Sequence, residues 1–258
     1  GLTALAKYQN YFFIMTTIFG FVTLITSSSL AGIGNSIVTE SEEKNFNDLK
    51  KFTFIMSWIS AFRVCCFACL YQPFMKLWVG EDNLLPYGMV LIFCAYFIVR
   101  QTNNLLNVYK DAAGMWHEDK WRPLVCSLVN LAVNLALVKV WGLYGILFST
   151  IVSMVVVGMP WIMYNLFTTI FHCNPKEYIF DIFKYLTLTV VSTVICLGIT
   201  SLIKIESLIV TLIVNLVICV IIPNVIFFVV FRNKSEFKAL VSMMNTLTKG
   251  KIKLLKRW

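Results

Sequence analysis

The run PYGMVLIFCAYFIVRQTNNLLNVY, residues 86–109, decides how the rest of the chain is read. It is apolar for nearly its whole length, and about 20 residues at ~1.5 Å each cross the hydrocarbon core of a bilayer. Helix from Pro86 to Arg100 covers about 21 Å, and from Arg100 to Tyr109 about 14 Å, so Arg100 lies deep in the span unless its side chain snorkels. A charge at the bilayer centre costs at least ~2.5–3.5 kcal/mol. Arg100, Asn103, Asn104, Asn107 and Asp111 fall at i, i+3, i+4, i+7 and i+11, which is one stripe of a helix. Such a stripe faces other helices or a wet cavity, because lipid offers it no hydrogen-bond partner. Two readings are open at this point. The stripe is a polar seam that holds a bundle together, or it lines a path for an anionic or sugar-bearing substrate.

Composition points the same way over the whole chain. Of its 258 residues 59% are hydrophobic and 14% charged, where soluble domains carry about 25% charged residues. The expectation is an all-α integral membrane protein. The chain begins with Gly1 rather than Met, and its first residues read as the end of a loop. A fragment or processed chain is expected, with no signal peptide ahead of the first span.

The net charge is +9, and its location matters more than its size. After Phe231 the tail holds Arg232, Lys234, Lys238, Lys249, Lys251, Lys253, Lys256 and Arg257 against the single acid Glu236, which is +7 of the +9. A juxtamembrane cluster of this kind attracts anionic lipid headgroups and marks the cytoplasmic side, so membrane lipids rather than nucleic acid are the expected partners. Within the tail Phe237, Leu240, Val241, Met244 and Leu247 share one helix face, as in an interfacial amphipathic helix. Among the cysteines, Cys66 and Cys69 have CxxC spacing inside an apolar run. No second pair and no histidine lie nearby in sequence, so they read as small buried hydrophobes.

Taken in order, the apolar runs give spans at about 11–38, 52–71, 86–109, 123–140, 143–167, 185–203 and 207–231, with residues 232–258 as the basic tail. In the first, Thr16, Gly20, Thr23 and Ser27 form a small, weakly polar face suited to close packing. The second carries Arg63 at its middle, with Ser60 one turn earlier on the same face. The fourth starts at Pro123 and places Ser127, Asn130 and Asn134 on a second polar stripe able to meet the one bearing Arg100. The fifth is kinked around Gly158 and Pro160, and the seventh is interrupted at Pro223-Asn224. His117, Glu118 and Asp119, in the loop after the third span, are sequence neighbours and share no helix face for a metal. With the tail placed in the cytoplasm and sides alternating over seven spans, sixteen Lys and Arg lie inside and four outside, as the positive-inside rule requires.

Several short stretches, in their order, carry a family resemblance. They are Tyr8-Gln9-Asn10-Tyr11, Gly32-Ile33-Gly34-Asn35, Pro73-Phe74-Met75-Lys76-Leu77-Trp78-Val79-Gly80, and the loop Tyr109 to Pro123 that leads into an Asn-bearing helix and the turn Lys139 to Gly145. Over about residues 1–200 the chain resembles the polysaccharide-transporter branch of the MOP flippase superfamily, the Wzx-type flippases of O-antigen and capsule repeat units. The resemblance implies a two-lobed transporter of about twelve to fourteen helices in the bacterial cytoplasmic membrane. Such a protein moves undecaprenyl-pyrophosphate-linked oligosaccharide to the outer leaflet by alternating access. This chain would be the C-terminal lobe, with the N-terminal lobe of the same protein as its partner.

The residues themselves are consistent with that implication. A pyrophosphate bearing a polar glycan needs a wet, cationic groove, and the planar fork of arginine suits phosphate. Arg100 is the first candidate phosphate contact and Arg63 the second. Asn103, Asn104, Asn107, Asn130 and Asn134 are candidates for sugar hydroxyls or for holding the arginines in place. No nucleophile, catalytic acid pair, metal set or phosphate-cradling glycine loop stands out, so neither catalysis nor a cofactor is expected. The rival readings are another transporter of the superfamily, namely a lipid II flippase or a cation-coupled exporter, and a membrane enzyme of the same polysaccharide pathway.

Overall fold

The computed structural model describes residues 2–203 and 205–247, with the backbone alone at residue 239 and residues 243–247. Those residues are helical almost throughout, with no strand among them. In order the helices are α1 (Leu2–Ser28), α2 (Leu30–Thr39), α3 (Glu42–Val79), α4 (Tyr87–Ala112), α5 (Trp116–Asp119), α6 (Arg122–Trp141), α7 (Leu143–Ser153), α8 (Met159–Thr169), α9 (Lys176–Leu202), α10 (Leu208–Phe231) and α11 (Ser235–Leu247). A 3₁₀ turn occupies Glu81–Asn83, and a π turn, Met154–Gly158, joins α7 to α8. Among the described residues seven helical stretches are long and apolar enough to cross a membrane: Leu2–Thr39, Glu42–Val79, Tyr87–Ala112, Trp116–Trp141, Leu143–Thr169, Lys176–Leu202 and Leu208–Phe231.

Helix runs past the apolar segments wherever a polar end is capped. α3 starts ten residues before the apolar run at Phe52, because Ser41 accepts from the Lys44 amide at 3.3 Å and Glu42 and Glu43 complement the helix N-terminus. At its other end α3 continues through Pro73 to Val79, where the sequence reads as a turn from Gln72. Proline cannot donate to the carbonyl four residues earlier, here that of Cys69. The Asn215 side chain donates to that carbonyl at 3.2 Å instead, so the helix passes the proline with its acceptor satisfied.

The first span is not continuous: α1 ends at Ser28 and α2 begins at Leu30. Thr23 donates to Phe19 O at 2.9 Å, Thr26 to Thr23 O at 3.1 Å, Ser28 to Ile25 O at 2.8 Å and Ser29 to Ile25 O at 3.1 Å. Ser27 also bonds the Thr23 carbonyl. Side-chain hydroxyls competing for the same carbonyls as the helical N–H groups bend a helix. Here a run of them coincides with a one-residue interruption at Ser29, whose amide bonds Thr26 O at 3.2 Å while its backbone stays in the helical region.

The described chain divides into two compact units, one of residues up to Asn45 with Leu70–Pro175, the other of Phe46–Cys69 with residues from Lys176 onward. The first holds α1, α2, α4–α8 and the π turn. One end of it is fixed by a buried ring of hydrogen bonds around Tyr11. Its hydroxyl donates to Gln72 Oε1 at 2.9 Å and accepts from the Leu85 amide at 3.3 Å, Gln72 Nε2 donates to Leu85 O at 2.6 Å, and Tyr71 donates to Tyr11 O at 2.6 Å. The α6–α7 corner is held by close approach. A Cβ on buried Gly145 would lie 2.9 Å from the backbone carbon of Leu137 and 3.0 Å from its oxygen. Gly145→Ala is therefore expected to force two backbones apart and to destabilise the protein by about 1–3 kcal/mol, read as a lowered Tm in detergent. An unchanged Tm would show that α6 and α7 yield freely there.

The second unit packs α9, α10 and α11 around the middle of α3. Phe54, Tyr185, Phe227 and Phe231 form its aromatic core, and Phe237 and Val241 of α11 complete it with Leu240 packed alongside. The amphipathic face expected to lie on lipid is thus, over these residues, docked on protein. The Met244 and Leu247 side chains, and Lys204, Lys249, Lys251, Lys253, Lys256 and Arg257, lie outside the described residues. Thr53 and Tyr178 hydroxyls meet at 3.0 Å, and Trp58 Nε1 donates to Asn224 Oδ1 at 2.9 Å.

Candidate functional site

Arg100 projects from the middle of α4, an unbroken helix, and its guanidinium stacks 4.3 Å from the centroid of the Phe19 ring of α1. The Tyr96 ring lies 5.8 Å away, and its hydroxyl accepts from Arg100 Nη1 at 3.4 Å. Stacking on aromatic faces suits the flat, weakly hydrated guanidinium. No carboxylate lies within ion-pair distance of Arg100 among the described residues. Its charge is held by rings and one long hydrogen bond, and its remaining donors have no anion to meet.

The asparagines of the same stripe have separate fates. Asn104 Nδ2 donates to Thr26 Oγ1 at 3.0 Å, which ties α4 to α1 just before the interruption at Ser29. Asn107 Nδ2 donates to Asn103 O at 2.7 Å, while its Oδ1 accepts from Arg122 at 2.9 Å. Asn103 Oδ1 is fully buried and has no hydrogen-bond partner, lying 3.5 Å from where a Cβ on Gly158 would sit. On α6, Asn130 Nδ2 donates to Thr150 Oγ1 at 3.1 Å and to Ser153 Oγ at 3.5 Å, binding α6 to α7. Asn134 Oδ1 is the second buried amide oxygen of the two stripes without a partner. α4 and α6 are joined through Asn107 and Arg122, and Arg122 lies outside the Ser127, Asn130 and Asn134 stripe, whose own bonds run to Pro123, Thr150 and Ser153.

Arg63 belongs to the other unit, where its Nε donates to the Ile59 carbonyl one turn back at 3.2 Å. Ser60, on the same face of α3, is buried with no hydrogen-bond partner for its hydroxyl. The two arginines are thus carried by different compact units.

The Tyr109–Pro123 loop is more than a connection between the third and fourth spans. Asp119, Lys110 and Arg122 form a buried ion cluster, with side chains 5%, 5% and 12% exposed. Arg122 grips Asp119 with both prongs, Nε to Oδ1 at 2.5 Å and Nη2 to Oδ2 at 2.7 Å. Lys110 Nζ lies 2.5 Å from Asp111 and 3.4 Å from Asp119, and it stacks 4.3 Å over the Trp116 ring. The cluster is charge-neutral, two cations with two carboxylates, and the Glu118 carbonyl beside it accepts from Trp161 Nε1 at 3.4 Å and Asn165 Nδ2 at 3.2 Å. The signal available in sequence was the i, i+3 spacing of Asp119 and Arg122.

Comparison with protein-family models, with curated proteins and with solved structures finds no match to the chain. What the site can do rests on its own geometry. Among the described residues no group of three or more His, Cys, Asp or Glu is arranged to hold a metal. Tertiary packing does bring Cys196 and Cys219 to Cys65, and all three thiols are buried and free. The second cysteine pair missing near Cys66 and Cys69 in sequence therefore comes from α9 and α10. In the first unit Lys110 and Arg122 are paired with acids, and Arg100, half-buried at mid-helix, has no acid within ion-pair distance among the described residues.

Proposed function

We propose that the chain is the C-terminal lobe of a membrane flippase that carries a lipid-linked, pyrophosphate-bearing oligosaccharide across the bacterial cytoplasmic membrane by alternating access, with its tail in the cytoplasm. The observation that carries this reading is Arg100. A permanently charged guanidinium in the middle of an apolar helix of membrane-crossing length is costly unless an anion meets it, and here it has aromatic rings and no carboxylate. An anionic headgroup passing the ring-lined face would supply the bidentate partner that arginine is shaped for. The order of short motifs over about residues 1–200 supports the transporter class, and the seven long apolar helices are compatible with it.

The asparagines divide between the two roles open to them. Asn104, Asn107 and Asn130 are engaged by protein partners, which favours the seam for those three. Asn103 and Asn134, each with a spare buried carbonyl oxygen, remain the candidates for donors on a sugar. The test is complementation of a flippase-null strain by the full-length protein carrying Arg100→Gln or Arg63→Gln, with membrane abundance followed alongside. Normal abundance with lost surface polysaccharide supports the reading. Normal export from both variants contradicts it.

A further inference from the structure

The first unit contains two irregular helices and two regular ones, and the irregularities meet the same two residues. α4 and α6 run unbroken, over 26 and 20 residues. The first span is interrupted for one residue at Ser29, whose amide bonds Thr26 O in place of Ile25 O, and the fifth widens into the π turn Met154–Gly158, two residues before Pro160. Asn104 bonds Thr26, three residues before the first irregularity, at 3.0 Å. Asn103 sets its unpartnered Oδ1 against Gly158, the last residue of the second. Adjacent residues of α4 thus hold both broken helices at one level.

Contacts on either side of that level form two separate sets. Toward the ends of α2 and α8 stand the Lys110–Asp119–Arg122 cluster, the Glu118 carbonyl with Trp161 and Asn165, and Gly34, whose Cβ would lie 3.2 Å from the Ala112 carbonyl. Ser36 and Asn45 bind α2 there to the start of α3 at 2.8 Å. Toward the start of α1 and α7 stand the Tyr11–Gln72–Leu85 ring, the Asn130–Thr150 bond at 3.1 Å and the Gly145–Leu137 approach. Each set is well tied internally. What joins them through α1–α2 and α7–α8 is helix with weakened or re-registered hydrogen bonds, because a proline leaves one carbonyl without its donor and serine hydroxyls compete for others.

We propose that the level of Asn103 and Asn104 is a hinge, about which α2 and α8 swing together relative to α1 and α7, while α4 and α6 flex as continuous rods. In this proposal the unpartnered Asn103 oxygen gains a hydrogen bond when α8 swings. The hinge deepens the transport reading and rests on it for its purpose, but its geometry stands without a substrate.

The test is amide hydrogen exchange on the purified chain in detergent or nanodiscs, with no substrate added. Residues 28–31 and 153–159 are expected to exchange about tenfold or more faster than the α4 amides between Tyr96 and Leu106. A π turn is an α-helix with a residue in excess, so deleting one restores regular register on both sides. Val156 is the residue to delete, being 63% exposed and outside every packed contact above. Deletion of Val156 is expected to slow exchange at 153–159 about tenfold and also to slow residues 28–31, because the two breaks move as one. Pro160→Ala, which returns a donor to the Val156 carbonyl, carries the same expectation if the deletion variant does not fold. Wild-type breaks that exchange no faster than α4, or a slowed π turn with residues 28–31 unchanged, would overturn the hinge. The predicted exchange pattern in the wild-type chain, together with normal export by Arg100→Gln and Arg63→Gln in the full-length protein, would instead count against the transport reading and leave the hinge standing.

Discussion

Asp119→Ala is expected to remove most of the folded protein from the membrane, with a loss of about 3–5 kcal/mol in stability. The magnitude follows from what remains rather than from the bond removed. Asp119 is the carboxylate that both Arg122 and Lys110 meet, and its side chain is 5% exposed. Without it Arg122 keeps the Asn107 oxygen at 2.9 Å and no charge partner, with its side chain only 12% exposed. Marginal stabilities of ~5–15 kcal/mol leave little room for a loss of that size. The pair taken as a whole is a weaker stabiliser than either half suggests, since desolvation offsets much of the attraction. Replacing both partners, Asp119→Leu with Arg122→Met, is therefore expected to recover most of the abundance that Asp119→Ala loses. Thermal melts and membrane abundance of the single and double variants check this. Equal loss in both would show that the cluster contributes net attraction beyond satisfying a buried charge.

Arg100→Gln is expected to give the opposite pattern, a folded protein that no longer exports. The side chain is held by Phe19 and Tyr96 through dispersion and cation–π contact, so glutamine forfeits about 0.5–1 kcal/mol of that and relieves an interior charge that has no carboxylate. Stability is expected to hold or to rise. Transport is where the charge counts. A charge-assisted hydrogen bond contributes about 1.5–3 kcal/mol, so losing a phosphate contact lowers affinity for the headgroup by about tenfold to a hundredfold. Arg100→Lys keeps the charge and loses the planar fork, and it is expected to retain part of the activity if phosphate binding is the role. A collapse in abundance for Arg100→Gln would instead assign the residue to the seam.

These two expectations also separate what the sequence made legible from what it did not. Hydropathy located the seven long apolar helices, because a bilayer-length run is a local property of composition. The polar stripe through Arg100 was legible for the same reason, since i, i+3, i+4 spacing needs no tertiary knowledge. Passage of α3 through Pro73 was not legible. It depends on Asn215, far along the chain, reaching the carbonyl that the proline leaves without a donor. The ion cluster was half visible, since Asp119 and Arg122 are neighbours on one turn, but Lys110 joins them only once the loop has folded back. The interruption at Ser29 had its signal in the run from Thr23 to Ser29, where one hydroxyl is a packing device and five become a competitor for backbone carbonyls. Arg63 and Arg100 look alike in sequence, as single arginines in apolar spans, yet they belong to different compact units.

The measurement that bears most directly on the central proposal is the leaflet in which lipid-linked repeat units accumulate when the full-length protein is replaced by Arg100→Gln at equal membrane abundance. The account predicts accumulation in the cytoplasmic leaflet with surface polysaccharide lost, as in the strain lacking the protein altogether. Wild-type surface polysaccharide and no accumulation would contradict it, and would leave Arg100 as a packing residue between Phe19 and Tyr96.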